Sequence, residues 1–339
     1  MKILITGGAG YIGSHTILET LENTDWEVIS MDNFSNSDDS TFSRIRNITG
    51  KEIKNYEVDL KDLKSTEKVF EENPDIAGII HFAAFKAVGE SVKKPLEFYD
   101  NNLNSLKNIL LCQEKYGVKN LIFSSSCSVY GNSDELPITE ETGFGTPESP
   151  YGYTKQIGEM MIRDFIKANP SCSAICLRYF NPVGAHESGL NGELPSKIQD
   201  NFVPIITQTA IGDREEFTVF GGDYNTKDGT CVRDYIHVSD IANAHILGLK
   251  QLIKSQKNNS EVINIGTGVG TSVLEIIHAF EDATGEKLNY KIGERRAGDV
   301  SEMYANNSKA KSILDWEPKR NLEKMMASAW KWQKHLKEK

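Results

Sequence analysis

The feature that most restricts what this chain can fold into is a glycine triplet, Gly7, Gly10 and Gly13, in G-x-x-G-x-x-G spacing directly after the apolar run Lys2–Thr6. Glycines at that spacing between a strand and a helix let the backbone turn sharply and approach a pyrophosphate, whose charge then faces the helix N-terminus. A glycine triplet alone is weak evidence. Its context strengthens it: Asp32 closes the next predicted strand, Ile29-Ser30-Met31-Asp32, where a carboxylate receives the adenosine ribose hydroxyls of a dinucleotide. A carboxylate there would repel a 2′-phosphate, so NAD is expected rather than NADP.

The same alternation continues along the chain. Short β-branched or apolar runs at Lys2–Thr6, Val28–Asp32, Ile53–Val58, Gly78–Phe82 and Leu121–Ser125 alternate with amphipathic stretches at Ile12–Asn23, Asp62–Glu72 and Pro95–Tyr116. Tyr151–Ala168 reads as a further helix and Ala174–Arg178 as a further strand. This is the pattern of βαβ units, hence a doubly wound parallel α/β sheet (Rossmann) with helices on both faces. After Asn181-Pro182-Val183-Gly184 the regularity breaks, and shorter helices are predicted at Gln199–Ile211, Ser239–Lys250, Thr271–Thr284 and Leu322–Leu336. Two lobes follow: residues 1–180 for a cofactor and 181–339 as a smaller α/β substrate lobe, with chain exchange near 230–265.

Composition narrows the function. A chain of 339 residues with 39% hydrophobic and 25% charged residues is long enough for one large core or two modest ones. No run approaches the ~20 apolar residues of a membrane helix, and Met1–Thr6 carries no basic-then-apolar leader, so neither anchoring nor export is expected and a cytoplasmic location is. The five cysteines are scattered and form no C-x-x-C pair, which reads as reduced thiols and no metal site. Cys172, Ala174 and Cys176 alternate along one predicted strand face, a packing pattern. A net charge of -10 argues against nucleic acid and requires any anionic ligand to find local basic groups.

Tyr151 and Lys155 stand at i, i+4 in Tyr151-Gly152-Tyr153-Thr154-Lys155 and therefore share a helix face. An ammonium beside a phenol, together with a cationic nicotinamide ring, is expected to lower the phenol from its usual value near 10 and make it a proton acceptor. Upstream, Phe123-Ser124-Ser125-Ser126 ends the fifth strand, on the sheet edge where ligands collect, so Ser126 and Tyr151 are expected to meet. Asp59, after Tyr56-Glu57-Val58, is placed for an adenine contact, or else caps a helix. His81, His186 and His237 read as structural histidines.

The opening Ile3–His15 resembles the extended short-chain dehydrogenases. Within that group, His81–Val92, Arg178–His186 and Asp228–Val238 are similar to the UDP-glucose 4-epimerase family. The resemblance spans essentially the whole chain. It implies NAD contacts by Tyr11, Ile12, Asp32, Asn33, Phe34, Ser35, Asn36, Ser37, Asp59, Leu60, Phe82, Ala83, Ala84, Phe85, Lys86, Asn101, Lys155 and Phe180. Substrate contacts are implied for Ser126, Asn181, Asn201, Phe202, Thr218, Val219, Phe220, Arg233, Arg296 and Asp299, with the two arginines supplying charge for a diphosphate. The implied reaction interconverts UDP-galactose and UDP-glucose by NAD-dependent oxidation at C4, rotation of the 4-keto sugar in the site and re-reduction on its opposite face. Tyr151 would act as base, supported by Lys155 and Ser126. A homodimer through Pro95–Tyr116 and Tyr151–Ala168 is also implied.

The alternatives are another NAD-dependent nucleotide-sugar enzyme, a dehydratase or a UDP-glucuronate-type epimerase or decarboxylase, and a protein that binds NAD without catalysis. Nucleotide-sugar dehydratases carry Asp-Glu after the active-site hydroxyl for elimination, and Cys127-Ser128 stand here. A protein that merely binds NAD would lack the Tyr–Lys pair. Met303 occupies the position that, in the family, is small where N-acetylated sugars are accepted and tyrosine where they are excluded; its volume points to UDP-glucose and UDP-galactose.

Overall fold

The computed structural model describes residues 1–133, 135–194, 201–255, 260–296 and 299–338. Seven strands form the main sheet: β1 (Lys2–Thr6), β2 (Glu27–Met31), β3 (Lys54–Tyr56), β4 (Ile76–His81), β5 (Asn120–Ser126), β6 (Ser173–Tyr179) and β7 (Ser260–Ile265). Their spatial order is β7-β6-β5-β4-β1-β2-β3, and every pairing is parallel. The order reverses at β1/β4, which opens a crevice at the carboxyl ends of the strands. The nearly continuous apolar runs of β1, β4 and β5 suit strands buried on both faces.

Two apolar clusters lie on the sheet's two faces. One collects Ile3, Ile5, Ile17, Ile80, Ile122 and Leu249; the other Leu4, Ile29, Phe70, Ile79, Leu121 and Ile162. Alternate residues of the same strands feed opposite clusters, as the two-residue period of a strand requires.

The predicted elements are present with their ends shifted by a few residues. Helices Tyr11–Asn23, Leu63–Glu72, Pro95–Lys115 and Pro150–Ala168 cover the sheet. Three further helices, Ser40–Thr49, Val88–Lys93 and Ser308–Leu314, lie where the sequence pattern had predicted none. The helix expected at Gln199–Ile211 runs Phe202–Ala210; residues 199 and 200 fall outside the described part.

After residue 180 the chain builds a second cluster of small sheets. Asn181–Val183 pairs with Tyr235–His237, Phe217–Phe220 with Tyr290–Gly293, and Val232–Arg233 lies between Thr271–Ser272 and Glu302–Met303. Helices Phe202–Ala210, Val273–Thr284 and Leu322–Lys337 pack on them around Ile206, Phe280 and Trp330. The chain returns to the first core twice. Helix Val238–Ser255 and β7 join the main sheet, and Ala310, Leu314 and Trp316 bury against the same apolar face. Trp316 is tied there by its indole N–H, which donates to Asp240 O at 3.0 Å. No helix among the described residues is long and apolar enough to cross a membrane.

Candidate active site

The glycine turn is steric before it is chemical. Gly7 adopts φ +70°, and a Cβ there would come within 2.8 Å of Ala83 N; a Cβ on Gly13 would lie 2.1 Å from Gly7 O. The helix it opens, Tyr11–Asn23, has Gly10 at its N-cap with no side-chain cap and no acidic residue in its first turn. Its first amides and the positive end of its dipole therefore face the crevice uncompensated.

Asp32 is bound into this turn. Its Oδ2 accepts from Ala9 N at 2.9 Å, and its Oδ1 accepts from Phe34 N and the Ser37 hydroxyl, both at 2.9 Å. A carboxylate has about four acceptor positions, so these three bonds fix its orientation and leave capacity for a ribose hydroxyl. Phe34 takes φ +57°, sparsely populated for a bulky side chain. Asn33 accepts from Ser35 N at 3.1 Å, and Ser35 and Asn36 are exposed around the carboxylate. A cradle closed to any Cβ, an uncapped helix start and an anchored carboxylate fit a dinucleotide.

The other expected cofactor residues fall around the same edge. Asp59 is exposed; the cap of helix Leu63–Glu72 is Asp62, not Asp59. The Leu60 side chain is buried in the apolar core, so only its backbone can meet a ligand. Phe82, Ala83, Ala84, Phe85 and Lys86 form the loop after β4, fastened where Asn102 accepts from Phe85 N at 2.8 Å and donates to Phe85 O at 3.0 Å and Thr154 Oγ1 at 3.1 Å. Asn102, which sequence reasoning passed over for its neighbour Asn101, thus joins that loop to the Tyr–Lys helix.

That helix, Pro150–Ala168, starts with Ser149 capping Gly152 N and proline at its first position. At Gly158 a Cβ would stand 2.8 Å from the Phe123 ring, so only glycine lets the helix sit this close to β5. The close approach brings Lys155 Nζ to 2.6 Å from Ser124 O and 5.7 Å from the centre of the Tyr151 ring. Ser126, 25 residues before Tyr151 in sequence, is brought close enough to the phenol to favour its ionised form.

The electrostatics differ from expectation in one respect. Burial pushes the Tyr151 phenol well up, the nearby Tyr179 hydroxyl adds to the rise and Ser126 opposes it. Lys155 is pushed down to about 8 by burial, against the opposing charge of Glu159 one turn along. The protein groups alone therefore do not make Tyr151 acidic: a buried phenol that cannot share its charge with water stays protonated unless a cation is brought to it.

Sequence reasoning also missed what stands behind the pair. Tyr179 bonds its hydroxyl to Ser124 Oγ, and burial raises it to about 12. Arg178 grips Glu159 with Nε to Oε1 at 2.9 Å and Nη2 to Oε2 at 2.6 Å, and Ser125 donates to the same carboxylate. Arg178 and Tyr179 lie in a segment already singled out, but their positions on a buried strand carry no local sign of it.

On the substrate side, Arg233 and Arg296 converge on one carboxylate: Asp299 Oδ1 lies 3.7 Å from Arg233 Nη2 and 2.8 Å from Arg296 Nη2. Arg296 also sits over the exposed Phe220 ring at 5.6 Å. Thr218 and Phe220 face away from the core, whereas Val219 is buried, which limits it to backbone contact. Phe202 packs edge-on against Phe217. Asn181 N donates to Asp234 O at 2.9 Å, and Phe180 is buried with Val129, Tyr130 and Met303, so its ring is core rather than surface. Met303 pairs in register with Arg233.

The histidines are held as structural groups. His81 Nδ1 is 2.8 Å from Thr6 Oγ1, His186 Nδ1 2.8 Å from Ser188 Oγ, and His237 accepts from Ser239 N at 3.1 Å. Burial lowers His81 to about 3 and His237 to about 2, which removes both as proton carriers near neutrality.

A parallel sheet with this strand order, a glycine turn answered by a carboxylate on β2, and a buried Tyr–Lys pair facing a strand-end serine define a short-chain dehydrogenase scaffold. Residues 4–329 match the sequence profile described as GDP-mannose 4,6 dehydratase. The UDP-glucose 4-epimerase of Bacillus subtilis is 48% identical over 98% of this chain and 97% of its own. The crystal structure of the Stenotrophomonas maltophila UDP-glucose 4-epimerase with bound NAD and formylated UDP-arabinopyranose superposes with TM-score 0.96 at 43% identity, covering 100% of this chain and 99% of that one. That of Bifidobacterium longum, in complex with NAD+ and UDP, gives 0.93 at 48% identity over 99% and 98%. The chain belongs to the UDP-glucose 4-epimerase family.

Proposed function

We propose that this protein interconverts UDP-galactose and UDP-glucose as an NAD-dependent 4-epimerase. The observation that carries the reading is the meeting of Tyr151, Lys155 and Ser126 at the carboxyl edge of β5, in a chain 48% identical over nearly its full length to an epimerase of that name.

The glycine turn and Asp32 would hold the cofactor, with Lys86 and Asn101 as further contacts. When bound, NAD supplies the acceptor and donor for the hydrogen at the sugar C4 and brings a cationic ring. Tyr151 Oη takes the 4-hydroxyl proton and later returns it. The phenol is kept protonated by burial, so the added positive charge is what makes it available as a base. Lys155 Nζ, anchored on Ser124 O, adds its charge to the Tyr151 face, and Ser126 relays or donates a hydrogen bond to the same oxygen. Arg233 and Arg296 hold the diphosphate in exchange for their present partner Asp299, while Asn181, Asn201 and Phe202 line the hexose and nucleotide path. Binding the nucleotide end lets the 4-keto sugar turn over without escaping, a use of remote binding energy.

Dehydration is disfavoured because Cys127 and Ser128 replace the acid and base that elimination needs. Burial pushes the Cys127 thiol up to about 12, so it is no acid substitute. Met303, buried in the sheet beside Arg233, supports a preference for UDP-glucose and UDP-galactose, and comparable rates on UDP-GlcNAc would overturn that preference. Residues 1–180 are read as the cofactor lobe and most of 181–339 as the UDP-sugar lobe. We infer a homodimer through Pro95–Lys115 and Pro150–Ala168, where Leu96, Leu111 and Tyr153 are exposed, and a cytoplasmic location matching the free cysteines. Light scattering tests the first and cell fractionation the second.

The deciding experiment incubates the purified protein with UDP-galactose and no added NAD, following UDP-glucose by chromatography and NADH by absorbance. Product without net NADH supports epimerisation on a retained cofactor. No product even with NAD added, or a 4-keto-6-deoxy sugar, refutes it.

A further inference from the structure

We infer that Glu193 is a positioning residue that sets the cofactor-side Lys86 and the substrate-side Asn201 relative to each other across the cleft. The inference rests on the functional reading above, which gives those two partners their ligands.

A single atom makes the connection. Glu193 Oε1 accepts from Lys86 Nζ at 2.6 Å and from Asn201 Nδ2 at 2.5 Å. Lys86 belongs to the loop after β4 and Asn201 is the N-cap of helix Phe202–Ala210, so one carboxylate oxygen ties the cofactor lobe to the mouth of a substrate-lobe helix. A carboxylate oxygen has two lone pairs and can take both donors together.

The carboxylate is the fixed member of the three. Its side chain is 13% exposed whereas that of Lys86 is 58% exposed. Its backbone is pinned where the Trp332 indole donates to Glu193 O at 2.7 Å. Two residues earlier, Asn191 is fully buried and donates to Ser14 Oγ at 3.0 Å, which docks the segment on the helix opened by the glycine turn. Glu193 is therefore held by its backbone between the two lobes, through Trp332 on helix Leu322–Lys337 and through Asn191 on helix Tyr11–Asn23, and presents its oxygen to two more exposed side chains. An exposed lysine pair of this kind adds little to stability. What it does supply is geometry: without Glu193, Asn201 loses its acceptor and Lys86 its direction, and each must be ordered at the moment a ligand binds.

The consequence is a KM effect with kcat less affected, because the carboxylate touches neither Tyr151 nor Ser126. Wild type, Glu193→Gln and Glu193→Ala are compared for KM and kcat with UDP-galactose, alongside thermal unfolding midpoints. We expect KM to rise in a graded series, about threefold for Gln, which keeps an acceptor oxygen without its charge, and about tenfold for Ala, the worth of one hydrogen bond to a charged group, with kcat falling by less than KM rises. A flat KM series, or a loss confined to kcat, overturns the inference; so does an Ala defect that Gln does not partly rescue. If the Ala protein fails to fold, the Gln protein decides by the same criterion, a KM at the wild-type value being refutation. Inactivity of the wild type itself refutes the functional reading instead, and so separates the two failures.

Discussion

Replacing Lys155 by methionine is expected to stabilise the fold at pH 7 while abolishing activity. Lys155 is 4% exposed, and burial depresses its amine from the ordinary lysine value of 10.5 to about 8. At about 1.4 kcal/mol for each tenfold in proton affinity, holding the ammonium in that site costs about 3 kcal/mol. Loss of the hydrogen bond to Ser124 O offsets about 1 kcal/mol of the relief, leaving methionine about 2 kcal/mol more stable. The pH dependence has a definite sign. Below pH 8 the lysine is charged in both the folded and the unfolded chain, and the cost is present in full. Between 8 and 10.5 the unfolded chain holds the proton and the folded chain does not, so wild-type stability rises with pH and the advantage of methionine shrinks. Urea unfolding at fixed slope, run from pH 7 to pH 10.5 on both proteins, measures this directly. A variant less stable than wild type at pH 7, or a difference that stays constant to pH 10.5, would falsify the reasoning that the active-site ammonium is held against its own desolvation.

Three further substitutions test neighbouring parts of the argument. Tyr151→Phe should reduce turnover by about 10²- to 10⁴-fold, the usual worth of a positioned acid–base group, with NAD retention and UDP affinity close to wild type by calorimetry; near-normal turnover would remove Tyr151 from the chemistry. Gly13→Ala sets a Cβ 2.1 Å from Gly7 O and should weaken NAD binding, read by calorimetry, and lower the unfolding midpoint. Glu159→Gln leaves the Arg178 guanidinium buried without its counter-charge and should cost about 3–5 kcal/mol in urea unfolding, whereas the double change Glu159→Met, Arg178→Met should cost less than the single one.

Much of the site was legible because its signals are local. The glycine spacing, Asp32 at the end of β2 and Tyr151/Lys155 at one helical turn are short-range patterns, and each is where the spacing placed it. Helix Ser40–Thr49 was not legible: it lacks a side-chain cap, and its buried side chains are only Thr41, Arg44 and Ile45. Arg44 reads as a surface residue until its guanidinium is seen over the Trp332 ring at 5.5 Å, nearly 290 residues away. Tyr179 and Arg178 sit in a strand buried throughout, where the two-residue alternation that would mark their faces is absent.

By itself the sequence determined the parallel α/β class, the glycine turn, the carboxylate that follows β2 and the identity of the Tyr–Lys pair, since each depends on residues within a turn or two of one another or on one strand–helix unit. Tertiary structure alone decided that β7 closes the main sheet beside β6, that Arg233 and Arg296 share Asp299, and that Glu193 joins Lys86 to Asn201. It also decided the protonation of Tyr151. The phenol's neighbours in sequence include the lysine expected to acidify it, but the free energy of a charge is governed by how much water and which dipoles surround it in space, and here burial, followed by the nearby Tyr179 hydroxyl, raises the phenol.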